Sequence, residues 1–263
     1  MDFQIAGKVA LVTASGRGLG LAISKRLAQE GCEVAICDFD QDVLKAAKTE
    51  IESVSKGKKV LSYHVDLTNP EEIKDLTSSI SEKLGTISIL VTNSGGPPPG
   101  QFDDTNDEKW LSAFRLVFLS ATNLISAVLP GMKKQRWGRI INSTSRALKE
   151  PIPNLIISNA VRLSVGGMAK TLAGEVAQYG ITVNNLCPGP TSTARTLELA
   201  SARATKKGIS VEEDLENLVK GIPIGRLARP EEQAAAVAFL ASELAGYITG
   251  ISLLVDGGAV KAL

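Results

Sequence analysis

Thr13-Ala14-Ser15-Gly16-Arg17-Gly18-Leu19-Gly20 places three glycines between a β-rich apolar run and a segment with helical apolar spacing at Leu19, Ile23 and Leu27. In that context backbone N–H groups at a helix N-terminus can approach a pyrophosphate, because glycine puts no Cβ in the way. Taken alone, such a turn reads equally as a tight strand-to-helix connection. Asp38 adds to it. It ends the second apolar run about twenty residues past the loop, where a carboxylate accepts both hydroxyls of an adenosine ribose. Asp38 and Asp40 also precede a helical segment, so a capping role stands beside ribose recognition. Asp66, followed by Leu67, ends the third run and offers the same pair of readings, adenine recognition or a helix cap. All three features fall at the C-terminal ends of adjacent strands, where open α/β sheets bind ligands.

Short β-rich runs alternate with longer helical segments, the pattern of βαβ units and a parallel sheet. Strands are predicted at 9–13, 33–38, 59–65, 89–92, 139–143, 182–186 and 252–255, with helices between them. Asn69, Pro70 and Glu72 mark one helix start, since Asn caps and Pro fits the first turn. The fold class expected is an α/β, Rossmann-type, doubly wound parallel sheet of about seven strands with helices on both faces. The 263 residues fit one domain of this kind, spanning 1–263. Two loops interrupt the alternation. One is the stiff run Gly95-Gly96-Pro97-Pro98-Pro99-Gly100. The other is the polar segment 192–221, where helical spacing over 197–204 and 211–219 suggests a lid of two short helices.

With 29 basic and 28 acidic residues, no excess positive field is available for a nucleic acid backbone. Cys32, Cys37 and Cys187 are odd in number and lack metal-ligand spacing, so buried thiols in a reducing compartment are expected and no metal site. The start has no signal-like apolar stretch. The apolar stretch 116–132 carries Ser120, Thr122, Asn123 and Ser126, follows Arg115 and is expected to end around Pro130, as a helix buried in protein or at a subunit contact. The chain is read as soluble and cytoplasmic.

The loop Thr13 to Gly20 is similar to the T-G-x-x-x-G-x-G of the short-chain dehydrogenase/reductase family, with Ala14 at its first Gly. Thr92-Asn93-Ser94-Gly95 resembles its N-N-A-G. Pro188-Gly189, with Thr191 and Thr193, resembles the P-G-x-x-x-T that meets the nicotinamide. The tail from Gly225-Arg226 through Pro230-Glu231-Glu232 and Ile248-Thr249-Gly250 to Val255-Asp256-Gly257-Gly258 follows the family's C-terminal pattern. The resemblance covers essentially the whole chain and points to the acyl-carrier-protein ketoreductase-like branch.

The resemblance implies an NAD(P)-dependent oxidoreductase interconverting a carbonyl and an alcohol, assembled as a homodimer or homotetramer. The alternative is a nucleotide-binding protein of the same fold with little or no redox turnover. It also implies a cofactor site from Thr13, Ser15, Arg17, Gly18, Leu19, Asp38, Asp66, Leu67, Asn93, Gly95, Arg162, Pro188, Gly189, Thr191 and Thr193. Asp38 opposes a 2′-phosphate and favours NAD, while Arg17 is a feature of NADP users; repulsion by Asp38 is expected to dominate, with NADP possible. The family's catalytic Asn, Ser, Tyr and Lys align with Val117, Ser145, Ser158 and Arg162. A serine is far less acidic than a phenol of pKa about 10, and a guanidinium stays protonated. The catalytic expectation is therefore Ser145 orienting substrate, with Ser158 and Arg162 sharing a helix face, Arg162 as a fixed cation. Against it, Ser158, Asn159 and Arg162 also read as ordinary polar residues facing a wet cleft. Arg146 and Lys149 read either as contacts for an anionic substrate or as solvated loop charges.

Overall fold

The computed structural model describes residues 2–262; the expected 1–263 domain includes Met1 and Leu263, which lie outside them. The elements in chain order are β1 (Val9–Val12), α1 (Gly18–Gln29), β2 (Glu33–Asp38), α2 (Gln41–Glu52), β3 (Val60–His64), α3 (Pro70–Leu84), β4 (Ile87–Thr92), α4 (Asp107–Phe114), α5 (Ser120–Gln135), β5 (Gly138–Ser143), α6 (Ile156–Val176), β6 (Ile181–Pro188), α7 (Ala194–Lys207), α8 (Val211–Lys220), α9 (Pro230–Ala241) and β7 (Ser252–Val255). The strands form one seven-stranded sheet in the order β3-β2-β1-β4-β5-β6-β7, every pairing parallel.

Helices cover both faces, which is why β1, β4 and β5 are buried along their whole length; β1 reads in the sequence as an unbroken apolar run, whereas β5 buries Arg139, Asn142 and Ser143 beside Ile140 and Ile141. One face packs Ile23 and Leu27 of α1 with Val237 and Leu240 of α9. The other packs Leu76 and Ile80 of α3 with Leu124 and Val128 of α5. The chain winds outward in opposite directions from β1 and β4, and this switch point leaves a crevice at the strand C-termini.

Local chemistry settles several open alternatives. Asn69 caps α3, accepting from the Glu71 N–H at 3.1 Å, with Pro70 in the first turn. Asp40 caps α2, accepting from the N–H groups of Asp42 and Val43, so Asp38 is not the cap. Asp66 accepts from the Thr68 N–H and hydroxyl, both at 2.8 Å, in a turn before the helix. The thiols of Cys32 and Cys37 are buried and pushed up to about 12 by that burial, which makes both unreactive.

Two expectations are corrected. The apolar helix does not end at Pro130: α5 runs through it to Gln135. Pro130 and Ser126 both face solvent, so water can satisfy the carbonyl that proline leaves without a donor. The same helix is joined to α4 by a π turn at Arg115–Leu119, giving 29 residues, Asp107–Gln135, apolar enough by length and composition to cross a membrane. Its inner side, from Leu124 to Met132, is instead buried on the sheet, while Leu111, Phe114 and Leu119 are exposed. Second, β6 extends past Leu186 to Pro188. The buried Asn184 and Asn185 are absorbed there: Asn184 donates to the Ile248 carbonyl at 2.8 Å and Asn185 pairs with Ser252 at 3.2 Å.

Candidate active site

At the crevice the loop after β1 is locked to the strand ends on both sides. The Thr13 hydroxyl donates to the Asn93 carbonyl at 2.6 Å and accepts from the Asn93 N–H at 2.8 Å. The Asn93 amide donates to the Ala14 carbonyl at 3.0 Å. The Ser15 hydroxyl donates to the Val12 carbonyl at 2.8 Å and contacts the Cys37 backbone. Both hydroxyls are fully buried and spent on backbone, so Thr13 and Ser15 shape this loop rather than present groups to a ligand. A Cβ on Gly20 would stand 2.3 Å from the Ala14 carbonyl oxygen, so only glycine lets α1 start this close to the turn. Ala14 itself lies at φ +44°, a region that favours glycine.

Beside this loop a cavity of about 520 Å³ is lined by Arg17, Asp38, Asp66, Leu67, Asn93 and Gly95. The Asp38 carboxylate is held there, one oxygen accepting from the Gly16 N–H at 2.9 Å, the other from the Asp40 N–H at 3.2 Å. Acceptor capacity remains on both oxygens. Arg17 is exposed and makes no side-chain cap. A cavity of this size, walled by a fixed carboxylate and bordered by Ala14 and Arg17 of the glycine turn, fits an adenosine and its phosphates.

The second cavity, about 240 Å³, is lined by Ser145, Ser158 and Arg162 together with Leu19 and the segment from Pro188 to Thr193. Asn93 and Ser94 line both cavities, so the two meet along one cleft. Ser158 and Arg162 share a face of α6, as their spacing predicts: the Arg162 Nε–H donates to Ser158 Oγ at 3.3 Å. Arg162 Nη1 donates to the carbonyls of Ser143 and Thr144 at 3.3 and 3.1 Å. Ser145 Oγ accepts from the Ala147 N–H at 3.1 Å, capping a short 3-10 turn, and its own proton stays available to donate. Thr191, by contrast, spends its hydroxyl on the Gly189 carbonyl. Burial, and then the like charge of Arg195, push the Arg162 guanidinium down to about 10.

Among the described residues, no tyrosine or lysine lines either cavity. Tyr63 bonds Ser79 on α3, Tyr179 follows α6, and Tyr247 is exposed near β7. Val117 sits in the π turn and lines a small recess with Asn142 and Arg162. Asn159 is structural, donating to the Ile152 carbonyl at 2.9 Å and accepting its N–H at 3.2 Å. Of the two basic residues after β5, Arg146 lines the cavity and Lys149 does not. His64 bonds the Phe39 carbonyl at 2.8 Å.

Sequence reasoning missed Arg195 and Arg203, which reach the cavity from α7. Arg195 Nη2 donates to the Pro97 carbonyl at 2.6 Å, tying α7 to the proline loop. Arg203 meets Asp214 of α8 at 2.7 Å and Lys207 meets it at 3.0 Å. The available signal was a basic residue in the first turn of a helix that opens on Thr193, whose hydroxyl accepts from the Thr196 N–H.

Residues 13–260 match the profile of the family described as Enoyl-(Acyl carrier protein) reductase. D-beta-hydroxybutyrate dehydrogenase of Cupriavidus necator is 36% identical over 98% of this chain and 99% of its own length. The 3-oxoacyl-(acyl-carrier-protein) reductase of Haemophilus influenzae is 35% identical over 96% and 98%. Among solved structures, L-sorbose reductase from Gluconobacter frateurii, complexed with NADPH and L-sorbose, superposes with a TM-score of 0.94 at 33% identity, covering both chains completely.

Proposed function

Because the chain belongs to the short-chain dehydrogenase/reductase family, we propose that its cleft is the active site of a nicotinamide-dependent oxidoreductase that interconverts a carbonyl and an alcohol. The carrying observation is the convergence of the Ser145 and Ser158 hydroxyls and the Arg162 guanidinium on the cavity that continues the glycine-loop cleft. When bound, the nicotinamide supplies or accepts the hydride. Ser145 donates a hydrogen bond to the substrate oxygen. Ser158, oriented by Arg162 Nε, can contribute a second. Arg162 remains cationic at neutral pH and stabilises negative charge developing on that oxygen. On our reading Ser158 and Arg162 take the positions of the family's Tyr and Lys, and neither residue exchanges a proton readily near neutrality. Water or an acidic group of the substrate therefore delivers it.

The cofactor preferred is NAD. The Asp38 carboxylate, fixed by two backbone N–H groups, accepts from the ribose hydroxyls and repels a 2′-phosphate. Exposed Arg17 is too loosely held to offset that repulsion. The exposed Leu111 and Phe114 of α4 and Leu163 of α6 form the basis for a homodimer or homotetramer, which light scattering tests directly.

Fluorescence titration with NADH and NADPH, followed by a panel of carbonyl and alcohol substrates, tests the assignment. NADH should bind more tightly than NADPH, and at least one substrate class should turn over. Ser145→Ala should lower turnover about a hundredfold, the effect of removing one donor to a developing oxyanion. Unchanged turnover in Ser145→Ala removes that residue from the mechanism, and binding without turnover across the panel overturns the enzymatic assignment.

A further inference from the structure

The reaction-end cavity is walled by Arg146, Arg162, Arg195 and Arg203, and none of the residues lining it is acidic. These four charges are unequally matched. Arg203 is paired to buried Asp214. Arg195 has only Glu198 at 3.3 Å, an exposed contact of the kind that contributes little and leaves most of the charge unscreened. Arg162 makes no ion pair among the described residues; its bonds go to one hydroxyl and two carbonyls. The same guanidinium feels the like charge of Arg195. Desolvating a cation beside another cation is costly unless an anion arrives to sit between them. Closing this cleft over a neutral substrate would leave that cost unrelieved.

We infer that the substrate carries a carboxylate, as an oxo acid or hydroxy acid, and that this carboxylate docks against Arg195 in the shared field of Arg162, with its carbonyl or alcohol carbon toward Ser145. The inference rests on the oxidoreductase assignment above and deepens it to a substrate class. Arg195 suits the task. Its Nη2 is committed to the Pro97 carbonyl at 2.6 Å, which orients the guanidinium and leaves further N–H donors for an oxygen pair. It is carried by the lid, so carboxylate binding and lid position are linked. Specificity arises because an ester or amide of the same acid brings no charge to meet the arginines.

The test uses the full-length protein with NADH bound. Pyruvate and 3-oxobutanoate are compared with their methyl esters, and unreactive malonate with malonamide, reading both bound-NADH fluorescence and turnover. The acids and malonate should bind at least tenfold more tightly than their neutral counterparts. Arg195→Gln should erase that margin, and Arg195→Lys should keep part of it, which separates lost charge from a misfolded lid. Equal affinity for acids and esters overturns the inference. So does an Arg195→Gln protein that keeps the margin, or one that loses NADH affinity as much as carboxylate affinity, since Arg195 would then serve the dinucleotide phosphates. A wild-type protein that fails to bind NADH is a different result: it sinks the oxidoreductase assignment itself.

Discussion

The two ends of the cleft are built by different means. At the adenosine end, backbone does most of the work: a glycine turn, the ends of β1, β2 and β4, and a carboxylate pinned by two N–H groups. At the reaction end, long side chains do it, with arginines arriving from α6, α7 and the turn after β5. The first end is acidic and the second basic. The contrast teaches that nucleotide recognition here belongs to the architecture, whereas reactivity belongs to individual side chains and is therefore free to change while the sheet stays the same.

The strongest way to break that contrast is at Arg162. Arg162→Ala should lower turnover by about a thousandfold, since it removes a preorganised cation, while NADH affinity falls by much less. Comparable losses in both would show that the two ends are one functional unit. The lid comes next. Burial alone would raise the Asp214 carboxyl, but hydrogen bonds from Arg203 and Lys207 hold it below its ordinary value of 3.8. Its contribution is present at neutral pH and is lost as pH falls through the depressed folded value. Asp214→Asn should destabilise the α7–α8 pair by about 2 kcal/mol, less than a fully enclosed pair because Lys207 is half exposed. Limited proteolysis would report it as faster cutting between α7 and α8, with urea unfolding of the rest little changed.

At the adenosine end, Asp38→Asn should raise NADPH affinity relative to NADH by tenfold or more, read by fluorescence titration, without moving the acid-over-ester margin at the other end. The smallest effect is expected at Ala14. Its φ of +44° costs on the order of 1 kcal/mol, partly offset by the unfolded-state entropy that glycine adds. Ala14→Gly should therefore raise the thermal midpoint by no more than a few degrees and leave turnover alone.

The same contrast explains what the sequence disclosed. The central strands β1, β2 and β4 were legible because parallel strands buried on both faces read as short, mostly apolar runs; the half-exposed edge strands β3 and β7 were legible from β-rich residues and their place in the strand–helix alternation. Asp38 and Asp66 were legible as strand-end carboxylates, and their capping alternative needed only the observation that Asp40 and Asn69 do the capping. The path of α5 through Pro130 was not legible, because a proline that faces water looks in sequence like one that ends a helix. Arg195, Arg203 and the buried Asp214 were hidden for a related reason. A charged, polar helix pair reads as solvent-facing until tertiary structure turns one side of it onto the cleft. Thr13 and Ser15 were legible as loop residues, yet their burial and backbone bonds appear only once β1 lies between β2 and β4.

The Thr13–Asn93 pair joins positions 80 residues apart. During synthesis the first three strands leave the ribosome before the segment that completes the crevice exists. Contacts so distant along the chain slow folding, and they leave an edge of β1 open to wrong partners until β4 emerges. A nascent chain halted near residue 80 should consequently be unable to retain the dinucleotide.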